Sequence, residues 1–185
     1  MGIMDRIIAF ILIIILSPIL GLLMFMTLLD LKCNPIFIQK RTVSGPGDFS
    51  FYKIRSMYKT APNVPTGEFN NIHMYSSRWG RFLRLYSLDE LLNLICIVNG
   101  DMLFIGPRPI MTCETELLLL RKKNGIVGKP GITGLAQISG RDLITVNRKI
   151  ACERYYNRKS ASWSLKLFII YKTFVIVVNK TGITH

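Results

Sequence analysis

The chain has 185 residues, half of them hydrophobic, and a formal net charge of +13. That length supports one domain with a core of useful size. Residues 1–29 carry only Asp5 and Arg6 as charged groups, so the whole positive excess sits on residues 30–185. This neutral head and basic body suit an anionic lipid surface or a nucleotide phosphate, while nucleic acid is set aside for want of zinc-finger spacing, a helical basic region or an RNA-binding strand motif.

Residues 7–29, IIAFILIIILSPILGLLMFMTLL, are uncharged. As one helix they would extend roughly 35 Å at about 1.5 Å per residue, enough to cross a bilayer. The run is too long for a signal peptide's apolar region and has no small-residue cleavage site, so it is expected to be retained. Ser17-Pro18 falls near its middle, and proline removes a backbone donor. Two readings stay open: a kinked spanning helix, or one that bends and returns to the face it entered. Either places the basic body on the cytoplasmic side.

Residues 36–58 read as a hairpin around a Gly-Pro-Gly turn at 45–47. Lys53 and Arg55 flank Ile54 on its second strand, and by themselves suggest a solvated face. Residues 59–72 form a loop with two prolines. Helices are expected over 75–85, with Arg78, Arg81 and Arg84, and over 88–98. Pro107-Arg108-Pro109 makes a rigid turn. Thr112 to Lys123 has acids first and cations last, as a helix dipole prefers. Residues 128–142, GKPGITGLAQISGRD, are glycine-punctuated, so backbone amides could approach a ligand there. Within them Gln137 could simply satisfy loop backbone groups. A polar-faced helix follows over 144–158, where Tyr155 and Tyr156 read as packing or interface anchors. Residues 163–179 hold two lysines in seventeen residues, which suits a helix in the membrane interface or buried in the body. Cys33, Cys96, Cys113 and Cys152 show no Cys-x-x-Cys and have only His73 and His185 beside them, so reduced buried thiols are expected rather than zinc.

The stretch Ser87-Leu88-Asp89-Glu90 opens an apolar helix and fits a capping box, with Ser at the cap and Glu three residues on. A second reading is chemical. Arg84 lies one turn upstream, and Asp101 and Arg108 follow. A carboxylate beside arginines stays ionised and can act as a nucleophile toward phosphorus. A neighbouring carboxylate can hold Mg2+, which takes one or two carboxylates plus phosphate oxygens. The sequence pattern alone leaves both readings open.

Several ordered motifs together resemble the small monotopic phosphoglycosyl transferases of the bacterial sugar transferase family. They are Ser17-Pro18, Gln39-x-Arg41, Tyr52-Lys53-Ile54-Arg55-Ser56-Met57 and Arg84-x-x-Ser87-Leu88-Asp89-Glu90-Leu91. Then come Asn99-Gly100-Asp101-Met102, Gly106-Pro107-Arg108-Pro109, Lys129-Pro130-Gly131-Ile132-Thr133-Gly134, Ala136-Gln137, Gly140-Arg141 and Glu153-x-Tyr155-Tyr156. The resemblance implies a mixed α/β, helix-rich fold, with a re-entrant membrane helix over 1–32 and a catalytic body over 33–185 at the cytoplasmic face of the bacterial inner membrane. It implies transfer of a sugar 1-phosphate from a UDP-sugar to polyprenyl (undecaprenyl) phosphate, with release of UMP and a covalent aspartyl-phosphosugar between the steps. Asp89 would be the nucleophile, and Mg2+ would be held at Glu90 and Asp89. Arg84 would bind phosphate, and Pro107, Arg108 and Pro109 the nucleotide. Lys53, Arg55, Gln137 and Arg141 complete the expected substrate set, and downstream glycosyltransferases are possible partners. Three positions depart from the family pattern: Val43 stands where glycine is frequent, Asp142 where asparagine is, and Ser164 where aspartate is. The rivals are a nucleotide hydrolase or polyprenol-independent phosphotransferase using the same acids, and a membrane-tethered basic adaptor whose acid pair only caps a helix.

Overall fold

The computed structural model describes residues 2–44, 47–64, 72–140 and 144–179. Gly45 and Pro46 of the expected turn, and Arg141 and Asp142, lie outside the described residues. The fold is helix-rich α/β, as expected. Its residues fall into two compact units, 2–39 with 50–100, and 40–49 with 101–179.

The first unit opens with α1 (Gly2–Leu31), which contains Pro18. Pro18 has no N–H to offer the carbonyl four residues back, that of Ile14. Ser17 Oγ donates to Ile14 O instead, at 2.8 Å, so the acceptor freed by the proline is satisfied within the Ser-Pro pair. Among the described residues α1 is the one helix long and apolar enough to cross a membrane. Most of its surface is exposed; Ala9, Leu20, Leu23 and Thr27 are buried.

Both ends of α1 are held by the same unit. Near its start, Arg6 Nη2 donates to Asn99 O at 2.8 Å, capping α3 (Leu94–Asn99). Toward its end, Leu20 and Leu23 form a core with Ile54, Leu83 and Leu92, and Trp79 Nε1 donates to Thr27 Oγ1 at 3.0 Å. Gly100 closes α3 with φ +84°, and a Cβ there would sit 1.7 Å from Arg6 Nη2. A left-handed C-cap that also admits a guanidinium therefore requires glycine. The N-cap of α2 (Arg78–Leu85) is Ser77, whose Oγ accepts from the Gly80 N–H at 2.9 Å and donates to Asp30.

The expected hairpin is present as β1 (Ile36–Thr42) and β2 (Phe49–Ile54). On β2, Phe49, Phe51 and Ile54 are buried. The helix expected over 88–98 is instead two pieces, a 3₁₀ turn over Leu88–Asn93 followed by the short α3.

In the second unit the end of β1 pairs antiparallel with β4 (Ile110–Met111), Arg41 opposite Met111. β3 (Leu103–Ile105) and β5 (Gly131–Thr133) run parallel, Leu103 opposite Gly131. Two of the glycines in the punctuated run 128–142 admit the protein's own backbone: a Cβ on Gly131 would lie 2.0 Å from Gly106 N, and one on Gly134 2.1 Å from Gly106 O. Around these strands pack α4 (Thr115–Lys123), α5 (Leu135–Ile138), α6 (Val146–Lys159) and α7 (Trp163–Asn179). One core joins Val43, Ile126 and Ile150; another joins Ile105, Tyr156 and Ile169. Tyr156 is buried and donates to Ile105 O at 3.0 Å, a packing role as expected. Val43 is thus a core residue, and its carbonyl accepts from Arg121 Nη1 at 3.1 Å.

Arg121 and Glu153 form a buried ion pair, 2% and 3% exposed. Nε donates to one carboxylate oxygen at 2.8 Å and Nη2 to the other. Burial pushes the Glu153 carboxyl up from its ordinary 4.5, against the pull of Arg121 and, more weakly, Lys149. All four cysteines are free, but only Cys96 is fully buried and Cys113 is exposed; the expectation of uniformly buried thiols is corrected to that extent.

Candidate active site

Three residues of the expected site come together in the first unit. Lys53 projects from β2 and reaches the 3₁₀ turn, its Nζ 2.9 Å from Glu90 Oε1 and 3.8 Å from Asp89 Oδ2. The lysine also lies 5.4 Å from the centre of the Phe51 ring. Asp89 is 5% exposed, and Glu90 is half-buried. An ionised carboxylate is rarely buried this deeply without opposite charge or hydrogen bonds, and Lys53 supplies charge.

The capping box is not formed. Ser87 has φ 55° and ψ 24°, in the left-handed region, and its side chain makes no cap hydrogen bond. An N-cap residue normally holds extended backbone so that its side chain can reach the N–H groups ahead. The Ser87 N–H, which the Glu half of the box would take, is donated to Arg84 O at 3.1 Å. The Glu90 carboxylate turns to Lys53. The positive φ closes α2 and starts the 3₁₀ turn in one residue, which sets Asp89 inward.

Arg84 lies in the last turn of α2, half-buried, with Nη1 3.4 Å from Met57 Sδ. Arg55 is engaged at the start of β1. It donates from Nε to Asn34 O at 2.9 Å and from Nη2 to Ile36 O at 3.4 Å, and lies over the Phe37 ring. These bonds are structural and occupy one edge of its guanidinium.

The remaining expected residues belong to the second unit. Pro107 and Pro109 are buried and Arg108 is half-buried between them. The Pro107 carbonyl accepts from the Gly131 N–H at 3.0 Å, and the Pro109 carbonyl from Arg41 Nη1 at 3.1 Å. Arg108 is therefore mounted on a turn fixed at both flanks. Gln137 is buried; its Nε2 donates to Ile132 O at 2.8 Å, while its Oε1 has no partner. Arg141 lies outside the described residues.

The sequence reading missed the Arg121–Glu153 pair, which joins residues 32 apart. A glutamate within a motif and an arginine in a helix's last turn were the available signals, and neither identifies a partner.

As a metal seat, Asp89 and Glu90 fit Mg2+ in one form only. Two adjacent carboxylates are enough when phosphate oxygens and water complete the shell. Among the described residues no group of three or more His, Cys, Asp or Glu could hold an ion. Asp89 and Glu90 would hold such an ion only with further oxygens from phosphate and water.

With this geometry in view, the comparisons with known proteins define the class. Residues 2–180 match the bacterial sugar transferase family, to which the chain belongs. The exopolysaccharide production protein ExoY of Sinorhizobium fredii is 31% identical over 96% of this chain and 85% of its own length. The undecaprenyl-phosphate galactose phosphotransferase of Salmonella typhimurium is 31% identical over 72% of this chain and 31% of its own. The UDP-galactose-lipid carrier transferase of Erwinia amylovora is 28% identical over 91% and 38% respectively. The chain thus spans about a third of the length of the last two relatives.

Proposed function

We propose that the chain transfers a sugar 1-phosphate from a UDP-sugar to undecaprenyl phosphate, with Asp89 as the nucleophile, in the initiation of a bacterial polysaccharide. An Asp89 oxygen attacks the β-phosphorus of the donor. The bond from that phosphorus to the bridging oxygen breaks, and UMP leaves with the oxygen. The phosphosugar stays as an acyl phosphate on Asp89. A phosphate oxygen of the polyprenol then attacks the same phosphorus, the bond to Asp89 breaks, and the carboxylate is restored. Two-step covalent transfer lets a soluble donor and a lipid acceptor use one carboxylate in turn. Mg2+, when bound, neutralises phosphate charge that would repel the carboxylate. Lys53 places positive charge beside Asp89, and Arg84, in the same unit, is the candidate phosphate contact; Arg108, in the second unit, is the nucleotide contact that the family resemblance implies.

The observation that carries this reading is the buried Asp89 beside the Lys53 ammonium, in a turn whose capping box is absent. The names of the Salmonella and Erwinia relatives supply the acceptor and donor classes. The same observation disfavours the basic adaptor, whose acid pair had only a cap to make. Purified protein given UDP-sugar and Mg2+ should release UMP and gain the mass of a phosphosugar on Asp89. Asp89→Asn should abolish both; full turnover by that variant sinks the assignment.

The reading includes a membrane-surface location on the cytoplasmic face of the inner membrane. Its supports are the exposed apolar surface of α1 and the character of α7. There Lys166 and Ile169 are buried, whereas Trp163, Leu167, Phe168, Ile170, Tyr171 and Phe174 are exposed. A helix that buries a lysine and exposes aromatics is arranged for an apolar surrounding.

A further inference from the structure

Resting on the function proposed above, we infer that Lys53 is a resident cation of the acidic pair, and that a divalent ion gains Glu90 only by displacing it. The ammonium stands 2.9 Å from Glu90 Oε1 and 3.8 Å from Asp89 Oδ2. Any ion coordinated by both carboxylates competes with it for those oxygens, and the two cations repel. The lysine is not a loose surface charge. Its backbone is fixed in β2, its side chain is largely buried, and its Nζ sits beside the Phe51 ring.

The competition has a consequence for order. Two carboxylates already paired with an ammonium are a poor seat for Mg2+, which dehydrates reluctantly and seeks several oxygens. A diphosphate reverses the balance. It brings oxygens to complete the shell, and its charge attracts the displaced ammonium. Asp89 and Glu90 would then hold a metal together with the nucleotide rather than before it, and the Lys53 ammonium would turn from carboxylate to phosphate. In the free protein Lys53 is a positioning residue that ties the Glu90 carboxylate to β2.

The test is Mn2+ binding to nucleotide-free protein, followed by electron paramagnetic resonance, so turnover is not the readout. Lys53→Met removes the charge and keeps the stem; it should tighten Mn2+ binding on the order of tenfold, the scale of one charge-assisted hydrogen bond. Lys53→Gln, a second neutral variant, should do the same, and Lys53→Arg should stay near the parent. The gain should vanish when Glu90→Gln is added to Lys53→Met. Unchanged or weaker binding in the neutral variants overturns the inference, as does a gain that survives loss of Glu90. The two claims fail separately. A parent protein that forms the Asp89 adduct while the neutral variants gain no affinity loses only the role of Lys53. A protein that forms no adduct loses the proposed function, with the Mn2+ competition still measurable.

Discussion

At Ser87 a backbone angle decides what the neighbouring side chains do. A left-handed serine costs about 1–2 kcal/mol relative to the right-handed conformation, a cost glycine avoids. Ser87→Gly should therefore be more stable than Ser87→Ala by about 1 kcal/mol, measured by chemical denaturation. Both variants lose the hydroxyl, so the difference isolates the backbone. Equal stabilities would mean that the turn does not hold its positive φ in solution. The acid pair was legible in the sequence because its residue types and arginine context limited what it could do. The absence of the cap was not, because the spacing Ser-x-x-Glu fixes no φ. Lys53 was legible as a basic residue near a motif, but its partner lies 37 residues away, and no local pattern reports a contact at that distance. Arg55 illustrates the same limit: its alternation with Lys53 was visible, its ties to Asn34 and Ile36 were not.

At the scale of elements, hydrophobic pattern and punctuation carried far. Residues 163–179 are α7 to the residue, and both strands of the hairpin fall within the expected span. The short strands β3, β4 and β5 escaped, since two or three residues become a strand only through a distant partner. The Arg121–Glu153 pair, which ties α4 to α6, is likewise invisible to local pattern. Its energetics give a directional prediction. Burial raises the Glu153 pKa above 4.5, against the pull of Arg121. The folded state therefore holds that proton more tightly than the unfolded chain. The resulting stability is fully present below the unfolded pKa and is lost as pH rises through the raised folded value. Arg121→Met removes the opposing cation and should cost about 3–5 kcal/mol at neutral pH. Because the stranded carboxyl can neutralise itself by taking a proton, the deficit should shrink as the pH is lowered toward 5. Denaturation curves at both ends of that range check it, and a deficit independent of pH would remove Glu153 as its cause. The double variant Arg121→Met with Glu153→Leu should recover most of the loss, because an apolar pair has no charge to desolvate.

At the scale of the molecule, the proposed membrane location turns on α1. Composition offered a spanning helix or a returning one with equal force. At about 1.5 Å per residue its 30 residues extend roughly 45 Å, more than the ~30 Å hydrocarbon core. We propose the returning form, on the contacts that α1 makes. A spanning α1 would carry Arg6 to the opposite face from Thr27. Yet Arg6 is bound to Asn99 and Thr27 to Trp79, all within one compact unit. For a helix that crosses, one of those anchors would have to break, leaving a guanidinium or an indole N–H without that partner. A helix that enters and leaves by the same face keeps both, and the Ser17–Ile14 hydrogen bond already accommodates the proline such a bend would use. A membrane-impermeant maleimide should therefore label a Gly2→Cys probe and the exposed Cys113 together in inverted inner-membrane vesicles, and neither in intact spheroplasts, with peptide mapping to tell the sites apart. Labelling of the Gly2 probe from the outer face, with Cys113 still protected, would establish a spanning α1 and require the Arg6–Asn99 contact to be absent in the membrane.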